Sequence, residues 1–314
     1  MKTSLLTVFL SIILTYFLCD LILKIAKKFN LLTYPEQHYT FSKPVLTKYS
    51  YIIITIVTIF TSMTAYFLSN TYFNAFNREQ SNFLSLFLIM IISSLLFIAS
   101  DKKRLASVYI ALINTFIAYQ NGILYGAASD FYIKLAVTFL WFLVFSIIFW
   151  TEKEFLTSTF LVNGIASITL FGIMFSLGQF FSANIMLSIG VSLLVLYKFS
   201  VWTKILPDNY VLMWISSVLS YLALVNNLKI TVIALVLFFP LLNLMLSINN
   251  DSHFTFKLLK KGIPEKKINR YIFLVQILSG LAAFVIMFIK NEVIGFLLAL
   301  TFFIFLYMFN ARKT

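Results

Sequence analysis

Eleven apolar stretches, each close to the roughly 20 residues that carry a helix across a hydrocarbon core about 30 Å thick, fill most of this chain of 314 residues. They run roughly Leu5 to Ile25, Tyr51 to Ser69, Phe83 to Ala99, Leu105 to Tyr125, Phe131 to Trp150, Phe155 to Ser176, Phe180 to Phe199, Tyr210 to Val225, Ile230 to Ile248, Ile272 to Ile289 and Val293 to Phe309. A chain that is 61% hydrophobic and only 11% charged cannot bury that much apolar surface inside a water-soluble globule, so the bilayer is its solvent. Length separates these segments from buried strands, and a membrane barrel would show short alternating segments divided by turns instead. The expected fold class is all-α: a polytopic membrane helix bundle of about 11 transmembrane helices. No polar stretch is long enough for a soluble domain and no internal repeat stands out, which predicts a single integral membrane domain over residues 1–314.

The first stretch is too long for a signal-peptide core and lacks a small-x-small cleavage site, so it is expected to stay as an anchor. Cys19 is the only cysteine, which rules out an intrachain disulfide and a cysteine metal cluster and leaves packing as its expected role.

Charge is distributed in alternation. Nineteen of the 24 Lys and Arg residues fall in every second gap between the apolar stretches. The other gaps and the N-terminus hold Lys2, Arg78, Lys134, Lys229 and Lys290. Assigning the basic gaps to the cytoplasm puts the N-terminus outside and, after an odd number of crossings, the C-terminus in the cytoplasm. Topology signalling alone explains such a bias, and so does a face that binds anionic phosphates. Lys257, Lys260 and Lys261, then Lys266, Lys267 and Arg270, repeat at helical spacing in the gap from Asn249 to Tyr271, a density suited to acidic lipid headgroups or to a phosphorylated substrate. Ion-coupled carriers place ionisable groups near the midplane, and this chain has almost none there. Asp20, with Lys24 four residues on, reads as a local ion pair reaching the headgroups.

The cytoplasmic loops carry a succession of motifs. Asn30 to Ser50 reads NLLTYPEQHYTFSKPVLTKYS, with prolines at Pro35 and Pro44; FIASDKKRLAS contains Ser100 and Asp101. Thr157 to Ile168 reads TSTFLVNGIASI, with Asn163 and Gly164; Tyr197 to Val211 reads YKFSVWTKILPDNYV, with Tyr197, Phe199 and Asp208. Asn250 to Gly262 reads NDSHFTFKLLKKG, with His253, Lys257, Leu258, Leu259 and Gly262. In this order the loops resemble those of the polyprenyl-phosphate N-acetylhexosamine-1-phosphate transferases, the membrane enzymes that initiate peptidoglycan, teichoic acid and O-antigen precursors. The resemblance runs from about Lys27 to Ile268. It departs from the family at polar positions: Thr33, Glu36, His38 and Phe41 replace polar motif members, Asn163 and Ala166 replace two aspartates, and Thr255 and Phe256 replace two histidines.

Moving a sugar-1-phosphate from a nucleotide diphosphate to a lipid phosphate joins two anions, so the chemistry needs a hard cation, oxygen ligands for it and basic groups for the incoming phosphate. The resemblance implies Asp101 and Asp208 as catalytic acids, Asp208 also as ligand to Mg (or Mn), and Asn163, Gly164, His253 and Lys257 as substrate-binding residues. Glu36, Glu152, Glu154, Asp251 and Glu265 are acids further from the motif positions. Each assignment has a plainer counterpart: loop capping for Asp208 and Asn163, headgroup contact for Lys257, a solvated interfacial imidazole for His253.

The resemblance thus implies a divergent transferase of the bacterial inner membrane that takes a UDP-N-acetylhexosamine-class donor from the cytoplasm and undecaprenyl phosphate from the bilayer. Its partners are the two substrates and membrane lipids, with no nucleic acid, and a homodimer is compatible with it. Because so many acids are gone, a catalytically silent relative that binds polyprenyl phosphate or an envelope-synthesis partner is the alternative. A small-solute or lipid transporter is the second alternative, which broken helices around a midplane cavity would favour.

Overall fold

The computed structural model describes residues 2–29, 32–33, 45–46, 50–99, 103–124, 130–150, 156–203, 206–207, 210–248, 258, 261–289 and 291–311. Its helices are α1 (Lys2–Lys28), α2 (Ser50–Leu68), α3 (Asn70–Arg78), α4 (Gln80–Ala99), α5 (Lys103–Gln120), α6 (Phe131–Trp150), α7 (Leu156–Ser176), α8 (Phe180–Thr203), α9 (Tyr210–Val225), α10 (Ile230–Val236), α11 (Phe238–Ile248), α12 (Glu265–Met287) and α13 (Glu292–Ala311). Three two-residue strands, β1 (Leu32–Thr33), β2 (Val45–Leu46) and β3 (Leu206–Pro207), are the only sheet among the described residues.

Every apolar stretch of the sequence carries helix. Six helices, α1, α2, α6, α7, α8 and α12, are each long and apolar enough to cross a membrane, and α3 with α4, meeting at 89°, makes a seventh when the pair is counted as one span. Two expectations are corrected. The gap between Ser69 and Phe83 holds the short helix α3, whose Tyr72 and Phe76 are buried. Its rings pack with Phe83, Phe180 and Phe181, so aromatic burial folds this gap onto the bundle. The stretch from Ile230 to Ile248 is two helices rather than one, interrupted at Leu237.

Pro240 explains the interruption. In a continuous helix its ring would clash with the carbonyl four residues back, that of Val236, and it has no N–H to donate there. With the break at Leu237, Pro240 falls in the first turn of α11, where a missing N–H is tolerated. The freed carbonyls are taken up by α12: Gln276 Nε2 donates to the Val236 oxygen at 2.7 Å, and Ser279 Oγ donates to that of Leu235.

Polar contacts also set the direction of the helices. Thr7 Oγ1 donates to Asn184 Oδ1 at 2.6 Å, Ser11 Oγ to Ser188 Oγ at 3.2 Å and Thr15 Oγ1 to Ser192 Oγ at 3.0 Å, all three at a constant separation of 177 residues. A constant offset means that α1 and α8 run parallel. Residues four apart lie on one helix face, so two rows of small polar side chains meet rung by rung. Thr61 of α2 joins the row by donating to Ser188 Oγ at 2.8 Å.

Both α1 and α8 end at the small sheet, which marks one end of the bundle. From there α9 leads away to Asn227, where the left-handed φ of +48° and a Leu228 N–H bond to the Ala223 carbonyl at 3.0 Å close the helix. The start of α7 meets the start of α12 through Ser158 and Asn269, and Thr55 near the start of α2 meets Ser94 near the end of α4. The loops after α1, α4, α6, α8 and α11 therefore all leave from the sheet end, and these are the basic gaps of the sequence.

The Pro240 break generates a prediction. Gln276→Leu removes the partner of the Val236 carbonyl and should destabilise the protein by about 1–2 kcal/mol, whereas beside Pro240→Ala, which supplies an N–H for that carbonyl, the loss should fall to less than about half. Unfolding of the two single variants and the double variant in bilayer-like micelles measures the cycle. Equal losses in both backgrounds would mean that Gln276 acts elsewhere.

Candidate functional site

At the sheet end, two polar stitches draw the motif-bearing segments together. The first is the sheet. Leu32 and Thr33 pair antiparallel with Leu46 and Val45, and Val45 and Leu46 pair in parallel with Leu206 and Pro207. The loop after α1 is thereby joined to the loop after α8, at the residue immediately preceding Asp208. Asp208 itself lies outside the described residues, as do Asp101, His253 and Lys257.

The second stitch is centred on Asn269 of α12, which is buried beside equally buried Ser158 of α7. Ser158 Oγ donates to Asn269 Oδ1 at 2.6 Å. The Tyr197 hydroxyl of α8 lies beside Asn269, and Glu265 is close enough to act on Tyr197 electrostatically. One amide thus ties the start of α7 to the start of α12, beside the end of α8. Exposed Lys266, Lys267 and Arg270 flank it on α12, and Lys198 of α8 lies 5.1 Å from the centroid of the Trp202 ring. Cations dominate this end. Its described acids are Glu265 and Asp20, the latter paired with Lys24 at 2.7 Å.

Asn163 and Gly164 sit one helical turn and more into α7. Asn163 is fully buried and its Nδ2 donates to the Thr159 carbonyl of its own helix at 3.0 Å. Gly164 is where α7 meets α8: a Cβ there would lie 2.9 Å from Leu194 Cδ2, and one on Gly190 would lie 3.0 Å from the Gly164 oxygen. Close helix approach is therefore sufficient reason for both glycines. On the other side of α7, a Cβ on Gly280 of α12 would lie 2.5 Å from Thr169 Oγ1. Between these close approaches a groove of about 370 Å³ opens, lined by Ile165, Ile168, Thr169, Gly172 and Leu194 with Phe273, Ile277, Gly280, Leu281 and Phe284.

No three His, Cys, Asp or Glu side chains among the described residues come together as a metal site. Asn163, standing where the resembled family has an acid, donates its amide Nδ2 to the Thr159 carbonyl of its own helix.

Asn269 was not singled out from the sequence. The signal was its place on the buried stripe that continues through Ile272, Val275, Gln276, Ser279, Gly280 and Ala283, where a polar residue needs a partner. Its position within a lysine and arginine run concealed that phase.

No protein-family model and no curated protein matches this chain.

Two substitutions test this arrangement. Asn269→Ala strands the Ser158 hydroxyl and should lower stability by about 1–3 kcal/mol, with Asn269→Gln recovering less than the full amount because the amide is displaced by a methylene. Gly190→Val should destabilise by roughly 1–3 kcal/mol or more, since the new side chain meets the backbone of Gly164. Thermal unfolding in detergent measures both; an unchanged Gly190→Val midpoint would exclude the tight α7–α8 seam.

Proposed function

We propose that the protein is a divergent polyprenyl-phosphate glycosyl-1-phosphate transferase of a bacterial inner membrane, crossing it eleven times with its N-terminus outside and the sheet end in the cytoplasm. In this reading it moves an N-acetylhexosamine-class sugar-1-phosphate from a UDP-sugar to undecaprenyl phosphate, with Asp101 and Asp208 as the catalytic acids, Asp208 holding Mg (or Mn), and His253 and Lys257 on the phosphates. The observation that carries it is the convergence of the motif-bearing loops at one end: the sheet ties the Pro35/Pro44 loop to the Asp208 loop, and Asn269 ties the α7 and α12 motif segments beside Tyr197 of α8. The parallel course of α1 and α8 supports the alternating topology, because both then point their following basic loops to the same side. The groove between α7, α8 and α12 offers apolar walls to an isoprenoid approaching from the bilayer.

A catalytically silent relative is favoured by one observation, the buried and self-bonded Asn163 at an acid position of the motif. The break at Leu237 is the observation on the side of a transporter. Its carbonyls are occupied by Gln276 and Ser279, and the buried polar side chains among the described residues are hydroxyls and amides rather than ionisable groups.

Membranes containing the protein, supplied with Mg²⁺, polyprenyl phosphate and labelled UDP-N-acetylhexosamines, separate the first two readings. A labelled lipid is expected, with Asp208→Asn and Asp101→Asn each reducing it by roughly 100-fold or more, the scale of losing one electrostatic partner of a transferring group. Polyprenyl phosphate binding without transfer would point to the silent relative, and full activity in both variants would overturn the proposed acids.

A further inference from the structure

The end of the bundle opposite the sheet holds a second pocket, of about 620 Å³, between the turn that follows α9 and the start of α13. Asn227, Leu228, Lys229, Ile230 and Thr231 form one wall; Val293, Gly295 and Phe296 form the other. Among these described lining residues Lys229 is the only ionisable one. Its position is held from two sides. The left-handed Asn227 turns the chain so that Leu228 is buried and Lys229 comes next, half-buried. Lys229 Nζ then donates to the Ile289 carbonyl at 2.6 Å, at the end of α12.

An ammonium has three donors, and this contact uses one. The remaining donors lie on a cation whose flexible stem is already ordered, so an incoming anion loses less side-chain entropy on binding it than on binding a free surface lysine. Beside it the pocket is apolar, and Ile230, Val293 and Phe296 are each more than half exposed at its rim. A fixed cation next to a bilayer-facing apolar wall matches an amphiphile with an anionic head. A soluble anion would use the cation and leave the wall wet.

We propose that this pocket is a binding site for the phosphodiester headgroup of an anionic phospholipid, with Lys229 on the phosphate and an acyl chain along Ile230, Val293 and Phe296. The site is independent of the transferase reading, at the other end of the helices and shared with none of its residues.

Native mass spectrometry of the purified chain tests it, after exchange into micelles carrying phosphatidylglycerol or phosphatidylcholine in equal amounts. One retained phosphatidylglycerol per chain is expected, kept by Lys229→Arg and reduced roughly tenfold in Lys229→Gln, which preserves a donor for Ile289 but not the charge. Equal retention of the two lipids by the natural chain, or undiminished retention by Lys229→Gln, would overturn the proposal. Displacement of the lipid by inorganic phosphate alone would also overturn it, in favour of a soluble anion. Should Lys229→Gln fail to fold, a photoactivatable phosphatidylglycerol applied to the natural chain decides: crosslinks in 227–231 or 293–296 support the site, and crosslinks confined elsewhere refute it.

Discussion

Apolar surroundings offer a backbone no hydrogen bonds, so wherever this chain leaves a plain helix another group must supply them. That constraint runs through the whole bundle. The proline that interrupts the stretch from Ile230 to Ile248 is tolerated because Gln276 and Ser279 of α12 face the two carbonyls it frees. The indole Nε1 groups of Trp141 and Trp214 reach the backbone carbonyls of Ser220 and Met90, at 3.1 and 3.3 Å. The hydroxyls of Thr55, Thr61 and Thr169 bond back onto their own helices or across to a neighbour, and the cross-helix bonds fix which helices lie together and in which direction. Packing follows the same logic, with Gly164, Gly190 and Gly280 admitting neighbours at distances that a side chain would forbid.

The eleven helical regions were legible from apolar length alone, because lipid-facing helices expose hydrophobic side chains around most of their circumference. The interruption was less so. Hydropathy averages over a window, and a single Pro240 amid Leu237, Phe238, Phe239, Leu241 and Leu242 leaves the average high while forbidding a continuous helix. The row of Thr7, Ser11 and Thr15 is likewise visible as a four-residue period. Its partner row at Asn184, Ser188 and Ser192 could not be assigned without the tertiary fold, since any small polar stripe would have served. The short helix α3 concentrates its apolar content in a few aromatic residues, too few for a hydropathy average to register.

Of the candidate site, the sequence reading named segments that leave the bundle at one end, but not the residues that hold their flanking helices together. Asp101, Asp208, His253 and Lys257 belong to segments whose flanking helices all terminate at one end. What holds the segments of Asp208 and of His253 and Lys257 to their neighbours is an amide, Asn269, and three two-residue strands with no catalytic look about them. A residue that organises a site need resemble no chemistry at all; it has only to be polar on a face that is otherwise buried.

The parallel row between α1 and α8 limits how this architecture can change. Five end-to-end passes, α2, α4, α5, α6 and α7, separate the two helices, and only an odd number brings the chain back pointing the same way. Gain or loss of one pass would reverse α8 and set its polar row against α1 head to tail. The hydroxyl ladder therefore acts as a parity lock, under which this part of the bundle can grow or shrink only by helical hairpins.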